Sequence, residues 1–264
     1  MHRLHTTAVA TAFAAVTGLS AAAWAKPDVA GVQQTRVDRD EALHRNFYQT
    51  GDTHFTMLFE GPQDAELASR ALTALEHAYF RIGSTLNAYP DDLITVVLYT
   101  EELFRDITRA PAWAAAAFDG KIRVPIRGAL EHPEELDRVL AHELAHAFVH
   151  STAPRGVPTW LNEGIAMFFE PGGAERADQR LADTPKRLSF DRLARQFGTL
   201  STAEAEIAYA QSAVITRRLF AEGGGWTVQA LLRDLADGVP FPEAYERRLL
   251  LPYDDFPGTL EPGH

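Results

Sequence analysis

The strongest chemical signal in the chain is the segment VLAHELAHAFV (139–149), which is apolar apart from His142, Glu143 and His146. A helix that is apolar on all sides is normally buried, and burying imidazoles and a carboxylate is costly unless each has a partner. His142 and His146 are four residues apart, so on a helix they share one face, about 6 Å apart along the axis. Both imidazoles can then bind one cation, with Glu143 beside it. This arrangement is the HExxH pattern.

A second segment has the same unusual composition. WLNEGIAMFF (160–169) contains only Asn162 and Glu163 as polar residues. A glutamate inside an apolar helix needs a metal, an arginine or a proton. Catalytic zinc sites often combine two histidines with one carboxylate and keep the fourth position for water. The loop 151–158 carries two prolines that can turn the chain, so Glu163 is predicted to complete a site for one Zn²⁺ per chain.

HELAHAF followed by WLNEGIAMFFE resembles the gluzincin zinc metallopeptidases, and most of all the peptidase-MA-like domains. The WLNEG string is also shared with the aminopeptidase N type. The resemblance covers roughly residues 53–235 and implies a thermolysin-like fold with Glu143 as base. It also implies that KIRVPI (121–126) is an edge strand that pairs with an extended peptide or protein substrate. The zinc ligands it implies are His142, His146 and Glu163.

The resemblance extends in part to Tyr209, in AYAQSAVITRRLF. In aminopeptidase-type relatives a Tyr-x-x-Gly segment at a similar place supplies a phenol to the oxyanion, and Tyr209 with Ser212 resembles it. Packing is the alternative role for a helical tyrosine. Met167 stands where thermolysin-type members have an acidic residue, which leaves the outer-shell partner of a zinc histidine unassigned. Because no Gly-x-Met-Glu-Asn segment is present, an endopeptidase is favoured over an aminopeptidase.

Two other interpretations compete with a peptidase. The first is a non-catalytic, zinc-stabilised module that binds peptides or an envelope partner; it leaves Glu143 as a buried carboxylate without a task, which is a cost. The second is a helical core without metal, which leaves several buried polar groups unexplained. His150 continues the histidine spacing, but it lies about 12 Å from His142 along the axis and cannot share the ion.

Composition excludes several classes of site and partner. The chain has 264 residues and no cysteine, so thiolate metal sites and thiol nucleophiles are absent. A net charge of −11 argues against nucleic acid or an anionic membrane as partner. Arg3, the apolar run 8–23 and the sequence Ala23-Trp24-Ala25 predict a signal peptide cleaved after Ala25, and hence a periplasmic or secreted protein. No later segment reaches membrane-spanning length.

The order of predicted elements indicates an α+β fold. A mixed sheet precedes a mostly helical half that carries HExxH. After the signal peptide (1–25) we expect a mobile arm (26–52), a single domain (53–250) and a tail (251–264). Strands are predicted at 53–59, 93–99 and 121–126, and helices at 64–86, 101–107, 133–150, 159–170, 189–197, 202–221, 226–236 and 241–250.

Overall fold

The structure, a computed structural model, describes residues 14–17, 42–108, 114–126, 132–253 and 256. Its strands form one mixed sheet in the order β1-β5-β6-β4-β3-β2. β3, β4 and β6 run parallel to one another, whereas β2 and β5 are antiparallel to their neighbours β3 and β6. The strands are β1 (Ala14–Thr17), β2 (Tyr48–Gly51), β3 (Phe55–Phe59), β4 (Ile94–Tyr99), β5 (Ala114–Phe118) and β6 (Ile122–Pro125).

Helices cover the sheet and make up the rest of the domain, so the predicted α+β fold is confirmed. Ser201 and Glu204 form a capping box at the start of the helix Thr202–Ala236, as the Ser-x-x-Glu sequence predicts. The helices are α1 (Ala65–Leu86), α2 (Glu101–Thr108), α3 (Pro133–Thr152), α4 (Thr159–Phe169), α5 (Gly173–Ala182), α6 (Phe190–Leu193), α7 (Thr202–Ala236) and α8 (Phe241–Leu249).

The core lies where α1, α3, α4 and α7 pack together. The sequence alternates in β3, so Phe55, Met57 and Phe59 point into the core. Residues 139–149 of α3 and most of α4 are buried, as expected for helical segments that are apolar on every side. Among the described residues, no helix combines the length and apolarity needed to cross a membrane.

The position of β6 differs from the prediction. KIRVPI was expected at the sheet edge because of Pro125, but β6 has β4 on one side and β5 on the other. Pro125 is tolerated because it is the last residue of the strand, opposite Tyr99. The sequence did not reveal β5 because its residues are AAAAF and alanine has low strand propensity.

β1 lies inside the predicted signal peptide and pairs in parallel with the outer side of β5. Cleavage after Ala25 would remove this strand and leave β5 at the edge of the sheet. Residues 1–13 and 18–41, which hold the cleavage sequence and most of the expected arm, lie outside the described residues.

Several other elements were missed or misplaced. β2 falls within the predicted mobile arm, and its side chains are all exposed, so it has no alternating pattern to detect. α5 was missed, and the helix predicted at 189–197 is only α6 followed by a short 3-10 turn at Phe197–Thr199.

Phe256, in the predicted tail, is buried, and its ring centroid lies 4.7 Å from that of Tyr245. The expected break between helices at 221 and 226 is a kink at Gly224 inside α7.

Candidate metal centre

Helices α3 and α4 bring the three predicted ligands to one point. His142, His146 and Glu163 are all at least 95% buried. Glu163 Oε2 lies 3.6 Å from His142 Nε2 and 3.5 Å from His146 Nε2. A tetrahedral zinc ion with bonds of about 2.0–2.2 Å holds its ligand atoms about 3.3–3.6 Å apart. Both distances match a shared zinc ion, and the three ligand atoms all lie within 4.8 Å of one another.

The histidine atoms that face this point are not used elsewhere. Within the described part of the chain, Nε2 of His142 and Nε2 of His146 have no hydrogen-bond partner. A second group, Asp52, His54 and Glu76, could also approach a metal but is more exposed. His54 Nδ1 already bonds Glu76 Oε1 at 2.7 Å, and Asp52 accepts two backbone amides. The buried group is therefore the candidate metal centre.

Each histidine is oriented through its other ring nitrogen. His142 Nδ1 bonds Glu170 Oε2 at 2.8 Å, and His146 Nδ1 bonds Asn162 Oδ1 at 3.1 Å. A proton on Nδ1 leaves the lone pair of Nε2 for a metal.

Glu170 is the outer-shell residue that the sequence left unassigned. It lies seven residues after Glu163, directly after the end of α4, and two helical turns place such residues on the same face. Met167, at the position where thermolysin-type members have an acidic residue, is buried in the apolar core instead. The sequence feature that could have identified Glu170 is thus its i, i+7 spacing from Glu163.

The histidines and the carboxylates of the centre change each other's pKa values. Burial alone would lower the pKa of His142, but the carboxylates of Glu163 and Glu170 raise it to about 10. Burial would raise the pKa of Glu163, yet His146 and His142 lower it to about 2. The surroundings therefore favour positive charge at this point, which suits a divalent cation.

Glu143 has the environment expected of a base. It is 1% exposed, and neither carboxylate oxygen has a hydrogen-bond partner among the described residues. Burial raises its pKa to about 7, against the opposing effect of His146 and His142. A carboxylate with such a pKa can accept a proton near neutral pH and release it again.

Tyr209, on α7, is near enough to the centre for its carboxylates to affect it. Burial raises the pKa of Tyr209 well above 10, and the charges of Glu163 and Glu143 raise it further. The phenol therefore keeps its proton and can act as a donor. The centroid of its ring also lies 5.3 Å from that of Phe197, so Tyr209 can pack in the core and still donate a hydrogen bond. His150 is exposed, with its ring 5.6 Å from that of Phe118 on β5.

Comparisons with known proteins agree with this geometry. The family model of the Peptidase MA superfamily matches residues 86–249, which include the whole candidate centre. No curated protein matches the chain. Among solved structures, yeast LTA4 hydrolase in complex with bestatin is similar, with a TM-score of 0.51 and 13% identity. The match covers 83% of this chain and 40% of that one, so this chain spans less than half of its relative. Family and fold support a metallopeptidase-type hydrolase that uses a metal, typically zinc.

Proposed function

The chain belongs to the Peptidase MA superfamily, and we propose that it hydrolyses peptide bonds with one zinc ion held by His142, His146 and Glu163. The observation that supports catalysis, rather than metal binding alone, is Glu143. Its buried carboxylate has no hydrogen-bond partner among the described residues, which is costly for a purely structural site. The cost is explained if the carboxylate must move a proton.

In the proposed mechanism a bound zinc ion would polarise the scissile carbonyl and acidify a water molecule. Glu143 accepts a proton from the attacking water as the new carbon–oxygen bond forms. It then gives that proton to the leaving nitrogen as the carbon–nitrogen bond breaks. A pKa raised by burial to about 7 suits both transfers.

Tyr209 is proposed as the donor to the developing oxyanion. Its raised pKa keeps the hydroxyl protonated beside the carboxylates, and a donor placed where negative charge develops stabilises the transition state. Asn162 and Glu170 hold the two imidazoles in orientation through Nδ1.

Once cleavage after Ala25 has removed β1, the substrate is proposed to be an extended peptide that adds to the freed edge of β5. Internal cleavage is favoured over removal of an amino-terminal residue. β5 supports this placement because its end, Phe118, contacts His150, one helical turn beyond His146. N-methylating the amides of a good substrate one at a time tests the pairing. Loss of kcat/KM at alternate amides is expected for strand addition. An effect limited to the scissile amide would contradict it.

Export with cleavage after Ala25 is also proposed. Its support is the sequence of the leader alone: Arg3, the apolar run and Ala23-Trp24-Ala25. The mass and N-terminal sequence of the protein secreted by its host would show Lys26 as the first residue. An intact leader on the extracytoplasmic protein would refute the proposal.

The function is tested by metal content and by digestion of a peptide library followed by mass spectrometry. Purified protein should carry one zinc per chain, and His146→Ala or Glu163→Ala should abolish tight binding. Glu143→Gln should keep the zinc and lose nearly all hydrolysis. A wild-type protein that binds zinc but cleaves no peptide would favour the non-catalytic binding module. Absence of zinc binding would favour the helical core without metal.

A further inference from the structure

The buried side chain of Glu170 is held by two arginines from different helices. Arg138, on α3 one turn before His142, donates from Nη1 to Glu170 Oε1 at 2.7 Å. Arg176, on α5, donates to the same oxygen from Nη2. Oε2 is left for His142 Nδ1, at 2.8 Å. The two oxygens of one carboxylate are thus divided between the arginines and the histidine.

A tight turn directs Glu170 at the histidine. The segment Glu170-Pro171-Gly172-Gly173 joins α4 to α5, and Gly172 has a φ of 68°. A Cβ on Gly173 would lie 2.1 Å from the backbone oxygen of Met167, so the turn requires glycine there. Arg176 also donates from Nη1 to Pro171 O at 3.0 Å. Arg176 therefore fixes both the backbone and the side chain of the turn.

Glu170 needs the two arginines because only 4% of its side chain is exposed to solvent. A buried carboxylate without compensating charge would be costly, and with the histidine as its only fixed partner it could adopt other rotamers. A carboxylate that accepts from Nδ1 makes Nε2 a better metal ligand, and losing such a partner typically lowers metal affinity about 10–100-fold.

We infer that Arg138 and Arg176 are positioning residues, which hold Glu170 against His142 and so strengthen metal binding at the centre. The inference rests on the proposed zinc site. Arg138 has the larger effect, since its side chain is 13% exposed against 45% for Arg176. Exposed ion pairs contribute little because solvent screens them.

The experiment measures zinc affinity by competition with a chromophoric chelator, together with the visible spectrum of the cobalt-substituted protein. Glu170→Gln and Arg138→Gln are expected to weaken zinc binding about 10–100-fold and to change the cobalt spectrum. Arg176→Gln should weaken it less than about fivefold. The matched control is Arg247→Gln, which removes an ion pair with Glu243 within α8, a helix that carries none of the residues of the centre, and should change neither.

A double-mutant cycle shows whether the arginines act through Glu170. In a Glu170→Gln background, Arg138→Gln should add almost nothing to the loss, because residues in one network are not additive. Arg138→Lys, which keeps the charge, should restore most of the affinity and keeps the test valid if Arg138→Gln does not fold. Wild-type affinity and spectrum in both arginine variants would overturn the inference. If the wild-type protein itself binds no zinc, the proposed function fails instead.

Discussion

Gly164, which follows the ligand Glu163, lies at the closest approach of α4 to α7. A Cβ at this position would lie 2.0 Å from Thr216 Oγ1 and 2.4 Å from the backbone oxygen of Ser212. The hydroxyl of Thr216 can rotate away, but the backbone oxygen belongs to a helix and cannot. Ordinary contact begins at 3.4 Å, so Gly164→Ala requires α4 to move by 3.4 − 2.4, or about 1 Å.

The displacement predicts two losses. Overpacking a core costs about 1–3 kcal/mol, and the better helix propensity of alanine returns about 1 kcal/mol. A net loss of up to about 2 kcal/mol lowers Tm by up to about 8 °C for a chain of this size. A shift of about 1 Å would also displace Glu163, which now lies 3.5 Å from His146 Nε2, from the spacing of about 3.3–3.6 Å that two ligands of one zinc ion require. Zinc affinity should therefore fall by about 10–100-fold.

Thermal unfolding of the metal-free protein and zinc competition with a chelator separate the two effects. Gly198→Ala is the control, since among the described residues its Cβ would meet no atom within 4 Å; surface changes of this kind stay within about 0.5 kcal/mol. Adding Thr216→Ala to Gly164→Ala should not restore binding, because the Ser212 oxygen remains. If Gly164→Ala matches the control in both Tm and zinc affinity, the close helix approach does not position Glu163.

Four further predictions concern the proton chemistry and the backbone. Tyr209→Phe should keep zinc and stability but lower kcat and kcat/KM alike by about 10²–10³; a change within about threefold would leave Tyr209 as a packing residue. Because burial raises the pKa of Glu143 from 4.5 to about 7, its ionised form costs stability above that pH and nothing below 4.5. Glu143→Gln should therefore stabilise the metal-free protein at pH 8 but not at pH 4, and equal unfolding curves at pH 8 would contradict this. The wild-type pH profile of kcat/KM should fall on the acid side as Glu143 takes up its proton, with a midpoint below about 7 because a bound cation favours the carboxylate. Gly224, at φ 70° and ψ 171°, lies in a backbone region that is essentially limited to glycine. Gly224→Ala should therefore lower the free energy of unfolding by about 1–3 kcal/mol. An unchanged midpoint of urea unfolding would contradict the backbone strain.

The local features of the chain were predictable because they depend on short-range patterns. The i, i+4 spacing of His142 and His146 and the isolated Glu163 in an apolar helix follow from helical periodicity and from the cost of burying charge. β3, β4 and α1 were found for similar reasons, since alternating or β-branched apolar residues mark strands and an apolar stripe marks a helix. Family resemblance added the thermolysin-like fold and the roles of Glu143 and Tyr209.

Features that depend on contacts between distant segments required the tertiary structure. The alanines of β5 carry no strand signal, so only the pairing of β5 with β6 shows that KIRVPI is not at the sheet edge. In the sequence Glu170 is marked only by its i, i+7 spacing from Glu163, and its contact with His142 and with arginines on two helices appears only in the structure. The close approach of α4 and α7 at Gly164 likewise depends on how the two helices pack and cannot be predicted from either segment alone. A sequence pattern specifies which side chains an element buries, but which buried groups meet depends on how the elements pack.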